Sequence, residues 1–494
     1  MKLIRLSVTL LCVSSCASPP PPSTPDLGVE VPKRWTAEPA EAEKDVASRD
    51  EEEDVPYSWW HEYDDPVLDA VVADVLDRNY DLEIAVARVY GAAALSRVAG
   101  ADALPLADAA FDADQARRNF IGFPIPGGAD VLTARSTSYG VGFNVTWELD
   151  VWGRIRAGQS AALADLQVAQ ADAYAARLSI IGQTVKLWFF IVETRGQLDL
   201  AQATLVNFRS NHQRVLSRYE RGLRPSLDVR FSLTNIAAAA AVVQARSEDL
   251  DRLIRQLKVL LGRYPDAVQE IPTDLPSVPG TVPDVLPSEL VYRRPDIVAS
   301  ERRLAATGAR VKEAKRALLP RISLRASGGT SSSQINDLAD PEFSVWRIGA
   351  NVVQPFFQGG RLLAGIDLAK SDQREALAFY VDTTLEAFRE VESALAAEKF
   401  LDTREQALEM AAEQSIAARD ISEGRYDRGL DDIITVLEAQ RRAFDSKSAL
   451  LVVQRERLEN NVDLHLAVGG DFHELNPITD HEPSESPESA ETTP

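Results

Sequence analysis

RYERGL at residues 218–223 returns as RYDRGL at residues 425–430, an offset of 207 residues, and the fold follows from how far that offset persists. Val145, Gly153, Arg154, Ala157 and Gly158 map onto Val352, Gly360, Arg361, Ala364 and Gly365, and far downstream Gly262 maps onto Gly469. A register held over so long a span means two copies of one structural unit, with no insertion in either long leg. Upstream, Asp81, Leu104 and Pro105 match Asp296, Leu319 and Pro320 at an offset of 215. The difference between the two offsets leaves the first copy eight residues longer between Pro105 and Val145. The surplus falls at 119–132, where Pro124, Pro126, Gly127 and Gly128 supply turn chemistry, so it reads as a loop.

Proline placement marks where long helices fit. Of 27 prolines, nine precede residue 67, seven lie from Pro265 to Pro295 and four from Pro477 onward, which makes those stretches linkers and tails. None falls in the 98 residues between Pro126 and Pro225 or the 121 between Pro355 and Pro477. Both intervals are rich in strong helix formers, with apolar and small residues at three-and-four spacing. In each copy a Gly-Arg pair, Gly153-Arg154 or Gly360-Arg361, opens a helix that runs to the repeated RGL. Residues 154–220 number 67, about 100 Å of helix. Gly222 and Gly429 can then adopt the left-handed cap, and Pro225-Ser226 or Asp431-Asp432 start an antiparallel return over 227–261 and 433–468. A further helix leads into each copy, the first with Asp65 as N-cap and Pro66 at its first position.

Each copy also carries one β-hairpin. From 138 to 149 the odd positions are Tyr139, Val141, Phe143, Val145, Trp147 and Leu149, and the even ones are polar or glycine. Trp346, Ile348, Ala350 and Val352 keep that apolar phase in the second copy, and the preceding strands, 106–116 and 321–330, alternate more weakly. A soluble half-buried hairpin has the same pattern. Length and aromatics favour the membrane, because about ten residues cross it as a tilted strand. Tyr139, Trp147, Phe343, Trp346 and Phe356 suit interfacial girdles. Four strands cannot close a barrel, which needs at least about eight, and open edges are not tolerated in lipid. Two chains give eight strands; three give twelve, with pseudo-six-fold symmetry.

Composition narrows the function. With 53 Lys and Arg against 75 Asp and Glu the net charge is −22, which argues against nucleic-acid binding. The longest unbroken apolar run, 236–243, is eight residues, so no helix is expected to span a bilayer. Two cysteines, Cys12 and Cys16, and five scattered histidines exclude a disulfide framework and a zinc cluster. No phosphate loop, nucleophile elbow or metal-spaced His pair is present, so no enzyme, cofactor or metal site is expected. At the start, Lys2 and Arg5, an apolar stretch 6–13 and Val13-Ser14-Ser15-Cys16 resemble a bacterial lipoprotein signal. That resemblance implies cleavage before Cys16 and acylation of its sulfur; an ordinary secretory signal with an incidental Cys is the alternative. Ala17, where inner-membrane retention would have Asp, implies sorting to the outer membrane.

Taken together, the chain resembles the TolC-type outer-membrane factors, in particular their lipidated OprM and NodT-like branch. The resemblance covers about residues 55–470. It rests on Trp59 and Trp60 followed by Asp65, Pro66 and Leu68; on Asn79, Asp81 and Leu82; on Leu286 to Leu290 through Arg293, Arg294, Pro295 and Asp296; on Leu319 and Pro320; and on the two RGL turns. The fold it implies is mainly α with a β-barrel contribution: long antiparallel helical hairpins forming an α-barrel, plus four transmembrane strands per chain in a trimeric twelve-stranded barrel. The divisions are a signal at 1–15, a lipid-anchored Pro/Glu-rich tether at 16–56 and a first repeat at 57–262. A Pro-rich linker at 263–287, a second repeat at 288–470 and an acidic disordered tail at 471–494 follow. The β-hairpins occupy about 105–149 and 320–357, and the helical hairpins about 154–262 and 361–469.

What the family implies is an outer-membrane efflux duct of a Gram-negative bacterium. It is a homotrimer whose helical part projects into the periplasm and meets a periplasmic adaptor and an inner-membrane transporter of the RND type. The adaptor-contact positions are Arg221, Gly222, Leu223 and Arg428, Gly429, Leu430. Tyr426 matches a residue of the family's closing network. Asp431 stands where the family has an Arg, so that gate bonding does not transfer, and Arg425 or Arg428 are the candidates to replace it. Of two acidic ring positions Glu438 matches one and Thr435 departs from the other, which Asp228 of the first copy is placed to supply. Each carboxylate also reads as a solvated helix face. Three Glu438 copies in one lumen predict cation selectivity that weakens on Glu438→Gln. With Met1 and Met410 the only methionines, a Met relay for copper or silver is disfavoured. An exit duct for type I protein secretion and a lipid-anchored coiled-coil spacer remain the alternatives.

Overall fold

The computed structural model describes residues 17–28, 31, 32, 34–36, 58–121, 131–279 and 287–470. The expected signal, Cys16, most of the surplus loop and the acidic tail lie outside the described residues. A short 3-10 helix, Trp59–Tyr63, precedes α1 (Pro66–Arg78), α2 (Tyr80–Ala101), β1 (Leu106–Ile121), β2 (Val131–Leu149), α3 (Arg154–Glu220) and α4 (Ser226–Leu260). The second copy runs α5 (Pro287–Arg293), α6 (Pro295–Arg316), β3 (Arg321–Ser332), β4 (Ser344–Val353), α7 (Arg361–Asp427) and α8 (Ile433–Ala467), with two 3-10 turns between its strands. Both α3 and α7 have 67 residues and both return helices have 35.

The chain divides into two compact units, and the boundary falls within α2, α3, α6 and α7. One unit contains the strands, residues 89–168 and 300–379. They form one antiparallel sheet in the order β1-β2-β3-β4. Leu106 faces Thr146, Tyr139 faces Ser332 and Arg321 faces Val353, so every residue of the alternating stretch 139–149 keeps its face across the sheet. The apolar face runs from Leu149 to Tyr139, eleven residues by the numbering, about what a tilted strand needs to cross a bilayer. Beyond it Arg117 faces Arg135, which ends the apolar stripe. β1 runs five residues beyond the expected 116 and β2 begins seven before the expected 138, so both enter the surplus stretch, pairing Phe120 with Leu132 and Ile121 with Val131. β4, an edge strand, is exposed along its whole length.

The other unit holds the core, at residues 26–88, 169–299 and 380–470. Trp59, Tyr63, Leu68, Trp188, Phe189 and Leu257 pack together from the 3-10 turn, α1, α3 and α4. Asp65 serves twice: one carboxylate oxygen accepts the amides of Val67 and Leu68, capping α1, and the other accepts the indole N–H of Trp188 at 2.8 Å. The lead-in is two helices rather than one, because Asn79 breaks it, accepting from Asp81 and Leu82 amides while its Nδ2 donates to the Leu260 carbonyl. The second copy breaks at Arg294, whose guanidinium donates to the equivalent carbonyl, Ala467, and pairs with Asp296 and Glu390. Against these breaks lie Gly262 and Gly469, with φ of 63° and 95°. A Cβ there would stand 2.6 Å and 2.0 Å from the carbonyl oxygens of Arg78 and Arg293, which is why the repeat holds glycine at both.

Two further expectations change. The stretch read as a tether is laid against the helices where it is described. Ser18 and Pro20 carbonyls accept from Ser160 and Arg302, and Ser23 donates to Glu301 through both its amide and its hydroxyl. Leu27 and Trp35 pack on a second cluster around Leu290, Ile297 and Tyr380, with Trp35 edge-on to Phe388. Four successive prolines hold this strap extended with free carbonyls, and the two buried charged side chains Glu301 and Arg302, paired with each other, receive it. The eight-residue limit on apolar runs also proves too strict. By length and composition α2, α3 and α4 each contain a window apolar enough to cross a membrane. Interspersed alanines raise mean hydropathy without making an unbroken run.

Candidate functional site at the two helix turns

Both turns close by the same backbone device. At the first, Leu223 N–H bonds the Arg218 carbonyl at 2.9 Å and Gly222 N–H that of Tyr219 at 2.8 Å; at the second, Leu430 bonds Arg425 and Gly429 bonds Tyr426. With φ of 73° and 77° at the two glycines, these are Schellman caps, and they need a left-handed residue. Leu223 and Leu430 project into solvent, 67% and 62% exposed, beside exposed Arg221 and Arg428.

The residues that follow set the turns apart. α4 starts at Pro225, which offers no side-chain cap, whereas the Asp432 carboxylate caps α8 by accepting the Thr435 amide at 2.9 Å. That bond holds the Asp432 carboxyl below the usual aspartate range. Arg425 reaches Asp431 of its own turn at 2.8 Å and 3.1 Å, and Arg428 donates to the Gly424 carbonyl. Neither of the two arginines proposed from sequence therefore bonds the other turn within the chain. Arg218 does: its guanidinium donates to the Tyr426 and Asp427 carbonyls at 2.7 Å and 2.8 Å. Arg224 joins by donating to the Asp431 carbonyl at 3.0 Å.

Tyr426 lies under this contact. Its ring is 1% exposed, between the guanidinium groups of Arg218 at 4.5 Å and Arg224 at 5.1 Å, on a small cluster of Val215, Ile433 and Val436. Its repeat partner Tyr219 is 44% exposed. Sequence reasoning singled out Tyr426 but not the two arginines that flank it, of which Arg218 belongs to the RY pair shared by both turns.

Along the helices above the turns α3 and α8 are tied by polar pairs. Lys186 meets Asp463, Gln197 bonds Ser448 twice, and Arg214 pairs with Asp427 of α7. Glu193 is buried in that seam, and burial raises its carboxyl although Gln197 donates to it. Glu438 is not a free carboxylate. Arg441 and Arg442 both bond it, Arg442 first among the causes that lower its pKa. Asp228 is 8% exposed, so the first turn of α4 buries the acid that sequence reasoning placed in an open ring. A cleft of about 580 Å³ between α3, α4 and α8 is lined by Phe208, Phe231, Val242, Leu437 and Phe444, with Glu438 and Arg441 at its rim. Among the described residues no group of three His, Cys, Asp or Glu side chains could hold a metal ion.

Known proteins share this layout. The family model described as outer membrane efflux protein matches residues 71–263 and 286–470. Pyoverdine export outer membrane protein OpmQ of Pseudomonas putida is 30% identical over 484 residues, 96% of this chain and 98% of its own. Outer membrane protein OprJ of Pseudomonas aeruginosa is 32% identical over 421 residues, 84% of this chain and 87% of its own. The solved outer-membrane channel OprN superposes with a TM-score of 0.79 at 28% identity, over 92% of this chain and 99% of its own.

Proposed function

We propose, on the premise that this chain belongs to the outer membrane efflux protein family, that it is the passive outer duct of a tripartite pump for small organic molecules. It is an outer-membrane efflux channel. The finer reading is that three copies close the sheet into a twelve-stranded barrel, that acylated Cys16 anchors each copy, and that a periplasmic adaptor and an inner-membrane transporter of the RND type complete the machine. One observation carries it: the four-stranded sheet has one continuous apolar face and two unpaired edges, an arrangement lipid tolerates only after closure by further copies. Relatives named for export of pyoverdine and of solvents support small organic cargo.

The exposed turn residues Arg221, Leu223, Arg428 and Leu430 are the adaptor-facing positions in this reading, and Tyr426 with Arg218 and Arg224 is the closing contact between turns. Glu438 is held by Arg441 and Arg442, and Arg441 also meets Asp445 at 3.9 Å, so two carboxylates balance two arginines. Glu438→Gln then shifts the reversal potential in planar bilayers toward anions, and an unchanged potential removes Glu438 from the lumen. The decisive measurement is the native mass of detergent-extracted protein from purified outer membranes. A trimer supports the duct; a monomer, or absence from that membrane, overturns it.

A further inference from the structure

The apolar face of the first hairpin changes character toward its tip. Leading away from the helices, the ladder pairs Ala113 with Tyr139, then Gln115 with Thr137, Arg117 with Arg135 and Asn119 with Thr133. These last six side chains continue the face of Tyr139, Val141 and Phe143, because residues two apart point to the same side of a sheet. Each of them can donate a hydrogen bond and none is acidic, in a chain whose net charge is −22. The acids of β1, Asp108, Asp112 and Asp114, stand at even positions on the opposite face.

At the centre of this belt two arginines face each other directly. Cross-strand neighbours have Cβ atoms about 4.5–5.5 Å apart, and like charges placed there repel. Both arginines are exposed, and no described residue bonds or pairs with either. Asp337, just past the end of β3, is engaged instead by the Ser332 hydroxyl at 2.6 Å. Nor does the repeat demand the pair: the same offsets place Ser332 and Glu342 at these positions of the second copy. Two guanidinium groups that repel each other and that the backbone plan does not require are stabilised together by an anion held between them, above all by a phosphate, whose oxygens match the arginine fork.

Depth selects the source of the phosphate. Arg135 lies four residues beyond Tyr139, about 14 Å along a strand, or about 10 Å along the membrane normal at a tilt of about 45°. With the apolar stripe from Leu149 to Tyr139 in the hydrocarbon, the belt falls among headgroups. It does so at the end of the sheet away from the helices, which project into the periplasm, and therefore in the outer leaflet. We propose that Arg117 and Arg135 of each copy bind a phosphate of an outer-leaflet phosphorylated glucosamine lipid, while Gln115, Asn119, Thr133 and Thr137 meet its sugar hydroxyls. The acyl chains then run down the stripe over Tyr139 and Val141, so headgroup and chain contacts are continuous. This site rests on the duct reading, which puts the face in lipid, and adds a specific lipid ligand to it.

Native mass spectrometry of the detergent-extracted trimer, titrated with lipid A, tests the site. Wild-type protein is expected to bind one lipid A per copy, and Arg117→Gln with Arg135→Gln to weaken that binding at least tenfold, through loss of two charge-assisted contacts. Arg118→Gln removes the adjacent arginine, which lies on the other face, and should leave binding unchanged. Lipid A stripped of its phosphates should bind wild-type protein no better than intact lipid A binds the double variant. An equal loss with Arg118→Gln, or undiminished binding of the stripped lipid, overturns the site. Displacement of lipid A by millimolar inorganic phosphate makes the ligand a free anion and overturns the lipid assignment. Arg135→Gln alone, a single exposed change, should give the same ranking with a smaller loss, and serves if the double variant does not assemble. A wild-type monomer overturns the duct reading itself, whereas a trimer whose lipid A binding ignores both arginines overturns this site alone.

Discussion

The two repeats use one backbone plan and solve its local problems with different chemistry. At the lead-in break the first uses the small amide of Asn79 and the second the charged Arg294, yet both donate to equivalent carbonyls, Leu260 and Ala467. Trp188 is fully buried in the larger core, while Leu395 at the equivalent position only flanks the smaller one. At the turns, Arg224-Pro225 faces Asp431-Asp432. What the repeat conserves is backbone geometry; side chains are free to differ wherever another group completes the same hydrogen bond.

The comparison is broken most directly in the cores. Trp188→Ala is expected to cost about 3–5 kcal/mol, and Leu395→Ala about 2, because a wholly enclosed ring leaves the larger cavity. Denaturant midpoints in detergent measure both, and equal losses would show that the cores are equivalent after all. Next come the close approaches. Gly469→Ala should lose on the order of 3 kcal/mol and Gly262→Ala somewhat less, since the added carbon meets a carbonyl oxygen at 2.0 Å in one and 2.6 Å in the other. Thermal unfolding that ranks them in reverse contradicts that geometry.

Two titrations sharpen it further. His465 stacks on Trp59 at 5.1 Å, and burial pushes its pKa down to about 4. An unfolded histidine takes up its proton near 6.5. The contribution of neutral His465 is therefore complete above pH 6.5 and is lost as pH falls toward 4, about 3 kcal/mol in all. Its repeat partner Lys258 keeps Asp266 at 3.7 Å, whereas Glu62 stands 4.0 Å from His465. His465→Phe should flatten that acid limb, whereas Lys258→Met should leave it. The smallest effect is at the turns. Asp432→Ala removes the cap of α8 for about 1 kcal/mol. Because that carboxyl is held below its unfolded value, the cap is present above about pH 3.9 and is lost in acid. Hydrogen exchange at 433–436 should then rise on acidification, with no matching change at 226–229, where Pro225 provides no titrating cap.

Sequence determined the repeat, the bounds of the long helices and the two turns, and the strands apart from their outer ends, because these depend on local periodicity, proline exclusion and glycine's access to positive φ. The family's marks lie in the same local features. The partners of each side chain were decided in the tertiary structure. Asp228 reads as an exposed acid of a helix start, yet it is buried at the base of α4. A proline-rich stretch reads as free tether, yet its bare carbonyls find Ser160 and Arg302. Burial and pairing belong to surfaces brought together from residues more than a hundred positions apart, and no local pattern encodes which surfaces meet.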